Sequence, residues 1–568
     1  MTSAADMPEL ESCFARIAET CAARGFSVAQ LQHEVSYPQH LRFQIHGGSQ
    51  LWTLEVDCSW PRLTELPKVF LVNHHQHLAH VGYNSVVCVD DGQGLSIDQA
   101  RQADTVAETV MSALALLEQS AEGLKHRNDE FYNELEGYWT GLPNVVAGRT
   151  CAEIDERDRF IVSYFDHARL TPTWYFVEHR GNIPPEFNVS KLAAMPALYF
   201  ALDEAIPPPP PGYELDTTYV AELLSRLTAP QQALWHRLSS SSAKTKSRLV
   251  VLLLSVPRAA GGRSLIGMSF SVRGGKVEAH RGATPIAMFR HTVTYMRQRG
   301  GASTALGVKH VAVIGCGSVG SEVADALATS GVGFLTLVDP EALSEDNVFR
   351  HVLGRAHVTG AKVYGLKDEL MAKYPGLQVL PIANGARTWL AQSDLKNLDG
   401  VVFALGMPTL ERDLAKHLRE SGRDVPLVHT WLEPLDLGGH SVLVRSTGEG
   451  CLECVFRDDE GVSTLVPQTA FLAPGQKVSR SLTGCASFFV PYGAIQSRRT
   501  ALLAAEQMLS ALTKHCQPRY DFWTGTGEAA NENNLKTTPW WRRAKSTSAE
   551  AATRQLFGRS CRNCRGKS

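Results

Sequence analysis

Val311-Ala312-Val313-Ile314-Gly315-Cys316-Gly317-Ser318-Val319-Gly320 is the stretch that decides how the rest of the chain is read. Its first four residues are apolar and mostly β-branched, too few for a helix, and predict a buried parallel strand. The glycines follow as Gly-x-Gly-x-x-Gly. Glu322 to Ser330 then has helical spacing and stops at Gly331, and a second apolar run, Phe334 to Val338, ends in Asp339. Strand, glycine loop, helix, strand and acid make a Rossmann-like α/β unit. Glycines permit the tight turn and let backbone N–H groups approach a phosphate at a helix N-terminus. An acid roughly 20 residues on offers an acceptor for a ribose hydroxyl.

The pattern alone does not choose between a dinucleotide and ATP. Asn347, Arg350 and Lys362 follow Asp339 closely. A hydride-transfer enzyme has no need of an amide and two cations beside its phosphate loop, whereas an enzyme stabilising charge on a nucleotide α-phosphate does. A nicotinamide domain with incidental surface cations is the competing reading.

Val338-Asp339-Pro340 through Asp346-Asn347-Val348-Phe349-Arg350-His351 resembles the ThiF/MoeB superfamily of ubiquitin-activating and sulfur-carrier-activating adenylyltransferases, from near Arg297 to the C-terminus. The resemblance implies ATP and Mg²⁺, with Gly315, Gly317 and Gly320 as the cradle, Asp339 on the ribose, and Asn347, Arg350 and Lys362 facing the triphosphate. Tyr295-Met296-Arg297-Gln298 is similar to the family segment that lends an arginine to a neighbouring subunit's nucleotide, which implies a homodimer. One feature departs from the family. The strand Gly400 to Ala404 runs into Leu405-Gly406-Met407-Pro408, without the usual Mg²⁺-binding Asp. Glu411 and Asp413 are out of register with that position, so the ion is expected to be held mainly by phosphates and water, or by an acid elsewhere in the chain.

The chain's 568 residues suggest three or four domains. A net charge of −2 gives no electrostatic case for nucleic acid or an anionic membrane. No run approaches the roughly 18 apolar residues of a spanning helix, and Met1 to Arg16 lacks a signal-peptide core. A cytoplasmic protein is expected, whose 12 cysteines serve as thiols or metal ligands. Cys451-Leu452-Glu453-Cys454 and Cys561-Arg562-Asn563-Cys564 are two Cys-x-x-Cys pairs, the ligand set of a closed tetrahedral Zn²⁺ site. The resembling family has the same arrangement, and there the zinc is structural.

Residues 1–140 read as a first, α+β domain: a helix over Met7 to Arg24, strands at Leu41–Ile45, Leu51–Val56 and Lys68–Val72, and a helix over Ile97 to Leu117. His74, His75, His77 and His80 admit a metal reading with Cys88 as a further ligand. A polar loop beside a buried cysteine is the bland alternative. The favoured reading is a nucleophilic thiol at a loop edge. The segment resembles the active site of ubiquitin-conjugating enzymes, which implies Cys88 as the thioester cysteine. His80 then stands where the family's oxyanion-stabilising Asn belongs, either to donate the same hydrogen bond or to serve structure alone, and His77 is a weaker candidate for orienting the loop. Glu130-Phe131 through Tyr138-Trp139 is similar to bacterial versions of this domain.

Residues 141–290 read as an α/β linker or scaffold, with a stiff, exposed polyproline stretch at Pro207–Pro211 and strands at Leu249–Leu254 and Ser264–Val272. Residues 291–568 form the adenylation domain. In it, Cys485 precedes a helix over Ala494 to Leu512. The resemblance implies that Cys485 attacks the acyl-adenylate; a small residue packed at a helix start is the alternative. Cys316 reads as packing.

The whole architecture is similar to the activating–conjugating fusions of bacterial anti-phage CBASS operons. That implies activation of a protein C-terminus, in that family a cyclic-oligonucleotide synthase (CD-NTase). The acyl group would pass from Cys485 to Cys88 and be ligated to an amine on a target protein or small molecule. A sulfur-carrier adenylyltransferase, a conjugation enzyme for another ubiquitin-like carrier and a decayed scaffold are the rivals.

Overall fold

The computed structural model describes residues 7–31, 40–47, 50–58, 64–74, 76–90, 92–122, 124–239, 247–393, 395–481, 488–514, 517–558 and 561–564. The chain divides into two compact units, Met1–Thr292 and Val293–Ser568.

The first unit opens with helix α1 (Met7–Ala23). Five strands follow: β1 (Ser27–Gln30), β2 (His40–Gly47), β3 (Gln50–Asp57), β4 (Lys68–Leu71) and β5 (Val86–Val87). They pair antiparallel in sequence order. Leu41, Phe43 and Ile45 of β2 and Trp52, Leu54 and Val56 of β3 alternate inward, as a sheet with one buried face requires. They meet Cys13, Ile17 and Cys21 of α1, spaced one helical turn apart, and Val106, Val110, Leu114 and Leu117 of α2 (Gln102–Glu122). α2 starts at Gln102 rather than Ile97. The Asp98 side chain accepts the Ala100 N–H at 2.9 Å, and this local turn competes with the helix.

Two further helices, α3 (Leu124–Asn133) and α4 (Leu135–Thr140), lead into a second sheet of eight strands between Val146 and Arg290. α4 buries Leu135 and Trp139 in that sheet's core, and the Trp139 indole donates to the Gly267 carbonyl at 2.9 Å. The two predicted strands here are one antiparallel pair, Arg248–Pro257 with Arg263–Arg273. The polyproline stretch departs from expectation: Pro208, Pro209 and Pro211 are buried. Proline carbonyls are free to accept, and they do so from Tyr219 Oη (Pro207, 2.7 Å) and from His77 Nε2 (Pro208, 3.0 Å).

The second unit is built on a seven-stranded sheet. Its strands are β6 (His310–Ile314), β7 (Phe334–Val338), β8 (Gln378–Ile382), β9 (Gly400–Phe403), β10 (Pro426–Leu432), β11 (Gly438–Arg445) and β12 (Arg519–Thr524), in the spatial order β8-β7-β6-β9-β10-β11-β12. β8 through β10 are parallel, and β11 and β12 add antiparallel. Helix α5 (Ser318–Thr329) covers the glycine loop. α6 (Lys362–Lys373), α7 (Pro408–Glu420) and α8 (Ala494–Thr513) complete the layers used below. The strand order reverses between β6 and β9, and in such sheets ligands bind at the carboxyl ends beside that switch point.

Candidate active sites

The glycine loop occupies the switch point. Gly315 has φ +86°, and a Cβ on it would lie 2.7 Å from the Ala404 carbonyl oxygen after β9. A Cβ on Gly320 would sit 1.7 Å from the Gly315 oxygen, so α5 can approach the loop only through a glycine. Nothing lies within 4 Å of a Cβ built on Gly317, the residue that begins α5. Two of the three glycines thus answer to packing, and the third borders open space.

Asp339 is 5% exposed, and its two oxygens accept the N–H groups of Cys316 (2.7 Å) and Glu341 (2.8 Å). The carboxylate therefore ties the loop to the end of β7. His351 completes the corner. Its Nε2 donates to the Cys316 carbonyl at 2.8 Å, while its Nδ1 accepts the Leu353 N–H at 3.0 Å. That pattern fixes one neutral tautomer, and burial holds the imidazole below its ordinary pKa. The sequence alone gives His351 no role. Cys316 is fully buried and its thiol is pushed up by burial, in keeping with a packing role.

Lys362, 4% exposed, begins α6 and bonds Glu341 at 2.5 Å, which brings its ammonium to the Asp339 corner. Arg350 donates to Asn347 Oδ1 at 3.3 Å and stacks over the Tyr492 ring at 4.8 Å. Its Nε is buried and has no hydrogen-bond partner among the described residues. A buried guanidinium donor left open beside a glycine cradle is what an anionic ligand would satisfy. Tyr492, which sequence reading missed, also bonds Ser318 Oγ at 2.8 Å. It lines a cleft of about 600 Å³ together with Gly317, Leu405, Gly406, Glu411 and Leu472.

Glu411, set aside in the sequence because of its register, folds back from α7. It accepts the Leu405 N–H at 3.2 Å and bonds His429 Nδ1 at 3.0 Å. Glu433, which also lines the cleft, accepts from Phe471 N–H and Leu472 N–H. Each carboxylate already accepts hydrogen bonds on both of its oxygens. Arg297 lies elsewhere. In helix Val293–Arg299 its guanidinium rests where a Gly307 Cβ would be, 2.2 Å from Nη1. Gly307 precedes β6, so Arg297 is at the amino ends of the strands and away from its own glycine loop.

Cys451, Cys454, Cys561 and Cys564 converge, all four sulfurs lying within 4.8 Å of one another. The 451–561 and 454–564 separations are 3.8 and 3.7 Å. Four thiolates about 2.3 Å from a tetrahedral Zn²⁺ would be about 3.8 Å apart, so the donor set fits that ion. Cys485 lies outside the described residues.

In the first unit, Cys88 is exposed immediately after edge strand β5. Its N–H donates to the His80 carbonyl at 2.7 Å, and Val81 bridges Val87. His80 has φ +63°, a left-handed conformation rare outside glycine. Its Nδ1 lies 3.1 Å from Glu134 and its Nε2 3.6 Å from Glu130. The hydrogen bond to Glu134 raises the His80 pKa, and the same bond lowers that of Glu134. His77 tilts against Phe131 with ring centroids 4.8 Å apart and is held by the Pro208 carbonyl. His74 is near the loop's start, where its Nδ1 contacts the Leu71 carbonyl at 3.2 Å. His75 lies outside the described residues. Among the described residues these histidines gather into no metal-ligand cluster.

Residues 296–545 match the model of the ThiF family, and residues 12–147 match that of prokaryotic E2 family B. The chain is 29% identical over 233 residues to an ATP-dependent ubiquitin transferase-like protein Cap2 of Pseudomonas aeruginosa, covering 40% of each chain. A Vibrio cholerae protein of the same description is 29% identical over 223 residues, 38% of this chain and 36% of that one. The adenylyltransferase and sulfurtransferase MOCS3 of Bos taurus is 29% identical over 147 residues, 26% of this chain and 31% of its own. The matches thus span two fifths or less of these relatives. No helix among the described residues is long and apolar enough to cross a membrane.

Proposed function

We propose, for a chain that joins a prokaryotic E2-type region to a ThiF-family region, that it activates a protein's C-terminal carboxylate with ATP and ligates it to an amine. The observation that carries this reading is the cleft beside Gly317. Gly317 and Tyr492 line it, Asp339 holds the glycine loop through the Cys316 N–H, and Arg350, its Nε unpartnered among the described residues, stacks on Tyr492. Asn347, Arg350 and Lys362 would face the phosphates, with Mg²⁺ entering alongside the nucleotide and held mainly by phosphate and water. The carboxylate attacks the α-phosphorus and pyrophosphate leaves, which turns a poor electrophile into a good one.

Cys485 takes the acyl group as a thioester, and exposed Cys88 receives it by exchange. A target amine on a protein or small molecule then attacks the thioester carbonyl. The C–N bond forms, the C–S bond breaks, the sulfur leaves as thiolate, and the ammonium proton passes to solvent. The Cys₄ set would hold a structural Zn²⁺, tying residues 561–564 to 451–454. The position of Arg297, remote from its own loop, supports a homodimer in which each copy completes the other's site. The reading places the protein in the cytoplasm, with a CD-NTase of a CBASS system as the activated protein.

The test is to replace Cys88 with Lys, supply ATP and a CD-NTase, and look for an isopeptide adduct at residue 88 by mass spectrometry. An ATP-dependent adduct is expected. Absence of any adduct, while ATP–pyrophosphate exchange continues, would sink the relay. The partial match to MOCS3 favours one second reading, sulfur-carrier adenylation; a thiocarboxylate product in place of a thioester would select it.

A further inference from the structure

We propose that Glu134 is a positioning residue for Cys88, acting through His80; this rests on the reading of Cys88 as the acyl acceptor. Among the described residues of the loop from Asn73 to Cys88, three non-glycine residues lie in the left-handed region, Asn73 (φ +56°), His80 (φ +63°) and Ser85 (φ +69°). Such residues persist only where their surroundings over-determine them. At His80 the determinants are visible. The Ser120 hydroxyl holds the preceding Ala79 carbonyl at 3.3 Å. Tyr138 Oη donates to Glu134 Oε2 at 3.0 Å and reaches the Leu78 carbonyl at 3.3 Å. The ring itself lies between Glu134 and Glu130.

The charged or titratable groups facing this ring are Glu130 and Glu134, with Tyr138 behind Glu134 and Cys88 on the paired backbone. A carboxylate on each side favours the imidazolium, which hydrogen-bonds Glu134 through Nδ1 and forms a longer ion pair with Glu130 at Nε2, whereas the neutral ring keeps at most the hydrogen bond. The imidazolium therefore fastens His80 at two points. Its carbonyl then holds the Cys88 N–H at 2.7 Å, in the frame that presents the thiol. Losing the proton releases one fastening, so the reactivity of Cys88 is coupled to a charge on the neighbouring helices. Tyr138 bonds Glu134 and fixes the carboxylate without adding charge of its own.

The experiment is site-resolved alkylation of Cys88 by iodoacetamide on the full chain, from mildly acidic to mildly alkaline pH, without ATP or carrier. Wild type is expected to show, beside thiol ionisation, an inflection above the ordinary imidazole value of 6.5. Glu134→Gln should move that inflection to lower pH, and Glu134→Asp should largely restore it; a role in folding alone would move melting and leave the inflection in place. Superimposable wild-type and Glu134→Gln profiles would overturn the proposal. Should Glu134→Gln not fold, the His80 ring proton titration in wild type, assigned with His80→Gln, decides: a midpoint above 6.5 supports the proposal, and one at or below it overturns it. Neither readout needs an acyl group, so failure of the Cys88→Lys trap would be told apart from failure here.

Discussion

Each half of the chain pairs a cysteine with a histidine through the backbone, and pairs them in opposite senses. In the glycine loop, a buried neutral His351 donates its ring N–H to the carbonyl of a buried Cys316. Beside β5, Cys88 donates its backbone N–H to the carbonyl of a part-exposed His80, whose ring is drawn toward its charged form by carboxylates. In the first pair the side chains are consumed in fixing a loop, and the sulfur is sealed off. In the second, carboxylates hold the ring, the backbone passes that hold to the cysteine, and the sulfur is exposed. The difference teaches that cysteine and histidine in proximity are no signature of thiol chemistry. What separates the two is which atoms the hydrogen bonds use up.

The contrast breaks most sharply on the thiols. Cys88→Ser should abolish amine transfer while changing stability by no more than about 0.5 kcal/mol, because the side chain is exposed. Cys316→Ala should keep transfer and lose about 1 kcal/mol of stability in denaturant unfolding. Transfer lost in Cys316→Ala at undiminished stability would collapse the distinction. A third thiol environment sharpens it. Cys561→Ser should release zinc, read with a colorimetric chelator, and cost about 4 kcal/mol or more, as loss of a structural metal does.

Asp339→Asn turns an amide NH₂ toward either the Cys316 or the Glu341 N–H. It should cost about 1–3 kcal/mol and weaken ATP binding in calorimetry.

The smallest effect is in pH. The His351 pKa is depressed by burial, so its contribution to stability is full above 6.5 and is lost as pH falls below that value through the folded pKa. The His80 pKa is raised by Glu134, so its contribution is full below 6.5 and fades as pH rises through the folded pKa. The stability gap between wild type and His351→Gln should therefore shrink on acidification, and that for His80→Gln should grow. Parallel trends in melting would contradict the opposite protonation states.

What the sequence made legible was local. The glycine spacing, the strand runs on either side and the two Cys-x-x-Cys pairs each declare themselves within a few residues, and the structure sets them where the spacing implies. The rest depends on contacts between distant residues. Glu134 reaches His80 from 54 positions away and Tyr492 reaches Ser318 from 174, and no periodicity advertises either pairing. Register with the preceding strand misses Glu411, because it does not show where α7 turns the carboxylate. The prolines were expected at the surface on composition, yet their carbonyls are partners for ring donors distant in sequence. Cys485 stays an inference from resemblance.

The burial of that proline segment has a consequence for self-association. β5 ends its sheet, and residues 80–82 take up its outer side: the Cys88 N–H bonds the His80 carbonyl, the Gly82 N–H bonds the Val86 carbonyl and Val81 bridges Val87, so the groups on which a second molecule could lay down another strand are already engaged. A proline-rich neighbour brings carbonyls to grip His77 but lacks the amide hydrogens with which a ladder would be propagated. It can thus brace the surroundings of the exposed Cys88 thiol while offering no zipper to other copies.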